Sequence, residues 1–133
     1  MSAQLLRTLV EIGRLGLTHG LDPAPLAAAL GVDPSDVGKL IDTGCVSDTL
    51  LMTSEAAAAY LLGTMVRLEV RCHGDSVAIR AAIDRPSPDL GGLSIVQRLL
   101  ARPDLAGLAV IHEAAGTLPV PRIRMWRVAD TYS

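Results

Sequence analysis

Residues 84–100 constrain the fold of this chain more than any other segment. Within them, Pro86, Pro88, Gly91 and Gly92 fall inside seven consecutive residues. Proline lacks an amide proton and glycine is conformationally permissive, so this combination interrupts a helix. An apolar run with helical spacing follows at once. The segment is therefore predicted to be a shaped connector between packed helices.

The apolar composition favours helices over sheets. Half of the 133 residues are apolar, which is enough for a substantial core, yet Phe is absent and the aromatic residues are Tyr60, Trp126 and Tyr132. Runs of alanine and leucine let helices approach closely, whereas strands favour aromatic and β-branched residues. The sequence predicts an all-α fold, a small helical bundle with an N-terminal helix-turn-helix-like hairpin and an extended C-terminal tail.

A short sequence pattern that occurs twice predicts the helical hairpin. Residues 20–26 (GLDPAPL) are followed eleven positions later by residues 31–37 (GVDPSDV). In each copy the Asp, Asp22 or Asp33, can accept hydrogen bonds as an N-cap, and the following Pro suits the first helical position. Gly31 suits the end of the first helix. The predicted helices are 23–30 and 34–43.

Two short helices around a glycine turn have the outline of a helix-turn-helix. The second helix would offer Ser35, Lys39 and Thr43 to bases or phosphates of operator DNA. The same helix carries Asp36 and Asp42, and carboxylates oppose phosphate binding. Two interpretations remain open, namely DNA contact and packing or dimerisation of the helix pair.

Helical periodicity and capping residues define the other predicted elements. They are a helix from 4 to about 16, a loop from 44 to 52, a long helix after Thr53 or Ser54 to about 72, a helix after Asp75 to 83, a helix from 93 or 94 to about 101, and a helix from 106 to 115. The predicted regions are 1–50 (helix-turn-helix-like), 51–116 (helical) and 117–133 (tail).

The chemistry-bearing residues form no recognisable catalytic or metal-binding pattern. Cys45, Cys72, His73 and His112 lack the close ligand spacing of a zinc site. His112 and Glu113 are adjacent on a predicted helix, where neighbouring side chains point apart. The glycine pair of the connector lacks the lysine of a phosphate loop. We therefore expect a protein that is not an enzyme and that has no metal site and no cofactor.

Charge and hydropathy limit the binding partners and the cellular location that we expect for the chain. The net charge of −2 offers no general case for binding nucleic acid. The longest mostly apolar run, 56–66, is too short to span a bilayer. The N-terminus lacks the pattern of a signal peptide. We expect a cytoplasmic protein that does not associate with membranes.

The C-terminal residues 117–133 combine basic and apolar side chains after two prolines. Arg122, Arg124 and Arg127 surround the single tryptophan, Trp126. The arginines could be a solvated face with Trp126 folded onto the core, or the whole group could dock into a partner. Trp and Arg dominate binding hot spots, so partner docking is the favoured interpretation.

Residues 81–100 resemble the signature of the Xre/MbcA/ParS-type antitoxins. The family has a turn of the form Asn-Pro-x-Leu-Gly-Gly, which Ser87–Gly92 matches, and a later leucine pair, which Leu99-Leu100 matches. Two departures stand out. Ala82-Ile83 replaces a Trp-Leu helix end, and Leu93-Ser94-Ile95 lacks the proline expected there.

The resemblance, which extends over about residues 18–116, implies a function. Family members are all-α, form dimers and bind a RES-domain toxin that consumes NAD, with the antitoxin's C-terminal end shielding the toxin's active site. It implies autoregulation through operator DNA as well. The alternatives are a helix-turn-helix transcriptional regulator and a helical adaptor without a toxin. The residues that the resemblance assigns to partner binding are Leu90, Gly91, Gly92, Arg122, Arg124, Trp126 and Arg127.

Overall fold

A computed structural model of the chain describes residues 3–117, and these residues fold into eight α-helices and one 3-10 turn. No strand occurs among them, so the predicted all-α class is confirmed. The elements are α1 (Ala3–His19), α2 (Pro23–Leu30), α3 (Pro34–Thr43), α4 (Asp48–Leu51), α5 (Glu55–Arg71), α6 (Ser76–Asp84), the 3-10 turn η1 (Pro88–Leu90), α7 (Ile95–Leu100) and α8 (Leu105–Ala115).

Most helix starts lie where the capping residues predict them. The side chains of Asp22, Asp33, Ser54 and Asp75 each accept a hydrogen bond from a backbone amide in the first turn of the helix that follows. These bonds satisfy donors that would otherwise lack a partner. Gly31 has a left-handed backbone, with φ of 71°, and closes α2. The predicted pair of short helices with a three-residue turn is therefore confirmed.

The predicted end of α1 near Gly16 is wrong, because the helix continues to His19. Gly13 and Gly16 face α3, where a Cβ atom at either position would lie 2.9 Å from a carbon of Leu40 or Ile41. Absence of a side chain lets the two helices pack closely, and that packing offsets the low helix propensity of glycine.

The predicted loop at 44–52 contains the short helix α4. Its N-cap is Ser47, whose hydroxyl oxygen accepts from the amide of Leu50 at 3.2 Å. The side chain of Leu50 is completely buried. A single buried leucine thus anchors a turn of helix in a segment that has no helical periodicity of its own.

Helix α5 is the centre of the bundle and packs against α1, α2, α6 and α8. The buried apolar side chains form one cluster that extends from Leu5 in α1 to Ala115 in α8. The cluster therefore continues across residue 50, and the helices before and after that residue share one core. None of the helices within residues 3–117 is long and apolar enough to cross a bilayer.

Candidate functional site

The connector between α6 and α7 forms a closed turn at residues 87–93. The amide of Ser87 donates to the carbonyl of Leu93 at 3.0 Å, and the amide of Gly92 donates to the carbonyl of Ser87 at 2.8 Å. The hydroxyl of Ser87 accepts from the amide of Asp89 at 3.2 Å. Leu90 points into the core and is 1% exposed. The turn is thus held by its own backbone and by one buried side chain.

Gly91 and Gly92 are required for the backbone of this turn. Their φ angles are 69° and 82°, in the region that L-residues with a side chain rarely adopt. No atom lies within 4 Å of the position that a Cβ would take at either residue. Both glycines are exposed, whereas Leu90 lies beneath them. Of the three residues predicted here for partner binding, two present backbone to solvent and the third anchors the turn.

The end of α8 is tied to both α5 and this turn. Arg67 and Arg71 of α5 donate to the carbonyls of His112 and Gly116 at 3.0 and 2.8 Å. Cationic groups at the last carbonyls of a helix satisfy free acceptors and interact favourably with the negative end of its dipole. The hydroxyl of Thr117 lies 3.4 Å from the carboxylate of Asp89. The last described residue therefore has a defined position beside the turn.

A glycine makes this contact between α5 and α8 close. A Cβ atom at Gly63 would lie 2.7 Å from Nε2 of His112, so any side chain there would displace the imidazole. The ring of Tyr60 meets the same imidazole edge-on, with centroids 5.7 Å apart. Gly63 thus leaves room for the imidazole of His112 between α5 and α8.

The four residues predicted to form a partner-blocking segment, Arg122, Arg124, Trp126 and Arg127, lie outside the described residues. The prediction for them stays a prediction. The structure places the point from which they follow, because Thr117 is fixed beside the 87–93 turn.

The three residues predicted to contact DNA lie exposed along α3. Thr43 donates to the carbonyl of Lys39 at 2.7 Å and accepts from the amide of Cys45 at 3.2 Å, so its hydroxyl is engaged by the backbone. The amide and hydroxyl of Ser35 bind Asp33, and these bonds lower the pKa of that carboxyl. Lys39 is left as the one basic group among the three.

A polar network around the buried side chain of His19 joins α1, α5 and α6. Nδ1 of His19 lies 2.7 Å from the hydroxyl of Ser76, and Nε2 lies 2.7 Å from the carboxylate of Glu69. Arg80 donates to the carbonyl of His19 at 3.0 Å, and the imidazole is 3% exposed. Sequence reasoning missed this network, because its members are 50 and 57 residues apart and α1 was predicted to end before His19.

The network has the connectivity of a Ser-His-acid triad, but its surroundings favour a structural role. A triad needs free amides where the oxyanion of the reaction develops. At the start of α6, which carries Ser76, the amides of Val77 and Ala78 already donate to the carboxylate of Asp75. We interpret the network as a clamp that holds the end of α1 against α5 and α6.

The two cysteines have different environments, and both are free thiols. Cys72 is buried, and burial raises its pKa, with a further contribution from the nearby carboxylate of Asp75. Cys45 is exposed just after α3. Among residues 3–117, no three His, Cys, Asp or Glu side chains are grouped so that they could hold a metal ion.

A cavity of about 260 Å³ lies between α1, α2, α5, α6 and α7. Its walls are mainly leucine, isoleucine and methionine side chains from all five helices. Four of the lining residues, Gly20, Asp22, Arg80 and Asp84, are exposed, and we take them to mark its mouth. The clamp residue His19 also lines the cavity. Sequence periodicity gave no sign of the cavity, since its walls read as ordinary core positions.

Comparison with known proteins finds no matching family model, no matching curated protein and no matching solved structure.

Proposed function

We propose that this protein is an antitoxin-like inhibitor of a partner enzyme. The partner would be a RES-domain toxin that consumes NAD, and the segment 117–133 would occlude its active site. The observation that carries the proposal is the position of Thr117. Thr117, the last described residue before the basic residues of that segment, lies beside the 87–93 turn, which is within the part of the chain that resembles the antitoxin signature.

The chemistry of both parts suits a protein surface. The exposed backbone of Gly91 and Gly92 allows a partner chain to approach closely, because no side chain intervenes. Arg122, Arg124 and Arg127 carry planar guanidinium groups, which pair with carboxylates and occupy sites built for phosphates.

The proposal includes a homodimer, as the resemblance implies. The outer face of α5 is a suitable surface, since Val66 and Val70 lie one turn apart and are 41% and 69% exposed. Apolar side chains grouped in this way often mark contact surfaces. Operator binding is left out of the proposal, because Asp33, Asp36 and Asp42 outnumber Lys39 on and beside α3.

The test looks for a RES-domain enzyme encoded in the reading frames next to this chain and measures the consumption of NAD by that enzyme. The full-length protein is expected to inhibit it. Replacing Arg122, Arg124 and Arg127 together by alanine should weaken inhibition by about thirtyfold or more, since hot-spot residues contribute at least that much.

Arg7→Ala is the matched control, because Arg7 is exposed on α1. It should leave inhibition unchanged, and circular dichroism should show the same helicity for all variants. Full inhibition by the triple variant would contradict the proposed role of the segment.

A further inference from the structure

We propose that the cavity between α1, α2, α5, α6 and α7 binds a small apolar molecule with one neutral oxygen-bearing head group. Protein interiors are close-packed and contain few voids larger than a water molecule. A volume of about 260 Å³ is far larger. One water needs only about 10–15 Å³ of such space, so the cavity has room for a small organic molecule of about the size of an eight-carbon alcohol.

The walls determine that most of the ligand is apolar. Leucine, isoleucine and methionine side chains form most of them, and the two buried polar side chains that also line the cavity, those of Thr64 and His19, already have partners. Thr64 donates to the carbonyl of Tyr60 at 2.8 Å, and both ring nitrogens of His19 are bonded. A polar group deep in the cavity would lose its bonds to water without replacement, which is costly. The apolar lining side chains that are only partly buried, and so accessible to a ligand, are those of Leu21, Ile83 and Val96.

The mouth determines the head group. Arg80 uses one nitrogen to bind the carbonyl of His19 at 3.0 Å, and a guanidinium has further N–H donors that an oxygen can accept from. Asp22 and Asp84 also border the mouth, so a carboxylate head would meet like charges. An ammonium head would be attracted by the two carboxylates but repelled by Arg80, whereas a hydroxyl can accept from Arg80 and donate to a carboxylate. A neutral oxygen, as in an alcohol, avoids both repulsions.

The first experiment titrates the full-length protein with 1-octanol, octanoate and octylamine and follows side-chain methyl signals by NMR. Octanol is expected to give saturable shifts of the accessible methyl groups that line the cavity, those of Leu21, Ile83 and Val96, and to bind more tightly than either charged analogue. Shifts spread evenly over the protein without saturation would overturn the site. Equal or tighter binding of octanoate or octylamine would overturn the assigned head group.

A second experiment tests whether octanol binds in the cavity. Val96 is half-buried and lines the cavity, so Val96→Trp should fill it and weaken octanol binding by about tenfold or more, since the lost apolar contact is worth that much. The control is Val10→Trp, an equal change at an exposed position of α1. It should leave binding unchanged. Equal affinity of both variants would show that octanol binds elsewhere.

A third measurement tests the chain's own tryptophan as the occupant. Trp126 is the single tryptophan, so its fluorescence reports on one position of the wild-type protein. Saturation with octanol is expected to leave its emission wavelength unchanged. A shift to longer wavelength would mean that the indole has moved from an apolar site into water. The C-terminal segment would then be the natural occupant, and the small-molecule proposal would fail.

Discussion

Helix α1 and the 87–93 turn each contain two glycines, and the two pairs serve different physical purposes. In α1, Gly13 and Gly16 have no side chain because α3 occupies the space where a Cβ would lie. In the turn, Gly91 and Gly92 have open space around them but adopt backbone angles that other residues avoid. In α1 the glycines are needed because a neighbouring helix leaves no room for a side chain. In the turn they are needed because the backbone adopts positive φ angles.

The difference has a consequence for reading sequences. A backbone requirement is local, so clustered glycines and prolines reveal it directly. A packing requirement depends on a helix that lies elsewhere in the chain, and nothing beside Gly13 or Gly16 announces it. Substitution at each kind of glycine should therefore have a different cost and a different cause.

The largest effect is expected at Gly13. A Cβ there would lie 2.9 Å from Cγ of Leu40 and 3.0 Å from its carbonyl oxygen, so Gly13→Ala should force α1 and α3 apart. We expect a loss of about 2 kcal/mol in the free energy of unfolding, as is typical of overpacking. Urea denaturation measures it.

Gly38→Ala is the matched control, because Gly38 is also inside a helix but has no atom within 4 Å of its Cβ position. It should raise stability by about 0.5–1 kcal/mol through helix propensity alone. If both variants lost the same stability, the contrast between packing and conformation would fail at α1.

A smaller effect is expected in the turn. Gly91→Ala keeps the surrounding space free but places a side chain at a φ of 69°. The cost should be about 1 kcal/mol, since that is the strain of a left-handed L-residue. Replacement of Gly91 by a D-alanine through chemical synthesis should remove the cost, because a D-residue favours positive φ. A persistent loss with D-alanine would point to a contact and away from strain.

Two helix caps differ in their dependence on pH. One belongs to α7, which follows the 87–93 turn, and the other to α3, which packs against α1. Ser94 caps α7 with a neutral hydroxyl in a capping box with Gln97, so Ser94→Ala should cost about 1 kcal/mol at every pH. Asp33 caps α3 with a carboxylate whose pKa is held below its usual value of 3.8 by the amide and hydroxyl of Ser35.

A carboxyl whose pKa is lowered in the folded state stabilises the fold fully above its unfolded value, and that contribution disappears as the pH falls through the lower folded value. Asp33→Ala should therefore lower the urea midpoint at pH 7, and the midpoints of the variant and the wild type should converge in acid. A constant difference between them across this range would rule out the carboxylate as the cause.

Much of the fold follows from local chemistry that the sequence displays. Asp22, Asp33 and Asp75 lie before helical runs, and each caps the helix that it predicts. The misjudged elements depend on distant contacts. Helix α1 passes Gly16 because Ile41 packs there, and α4 forms around the buried side chain of Leu50.

The candidate functional site shows the same division between features set by local residues and features set by distant contacts. The shape of the turn at Gly91 and Gly92 was accessible from sequence, because glycine and proline define it locally. The clamp of His19 with Glu69 and Ser76 was not, since it needs three helices to converge. The cavity was equally inaccessible, because a wall leucine and a core leucine look the same in a sequence.

The contrasting thiols give the protein a chemical handle in its native form. Cys72 is buried and its pKa is raised, so a thiol-reactive dye at neutral pH meets little of the reactive thiolate there. Cys45 is exposed two residues beyond the end of α3. A fluorophore can therefore be attached at one defined position of the unaltered chain. From there it would report on whatever approaches the C-terminal end of α3, without any engineered cysteine.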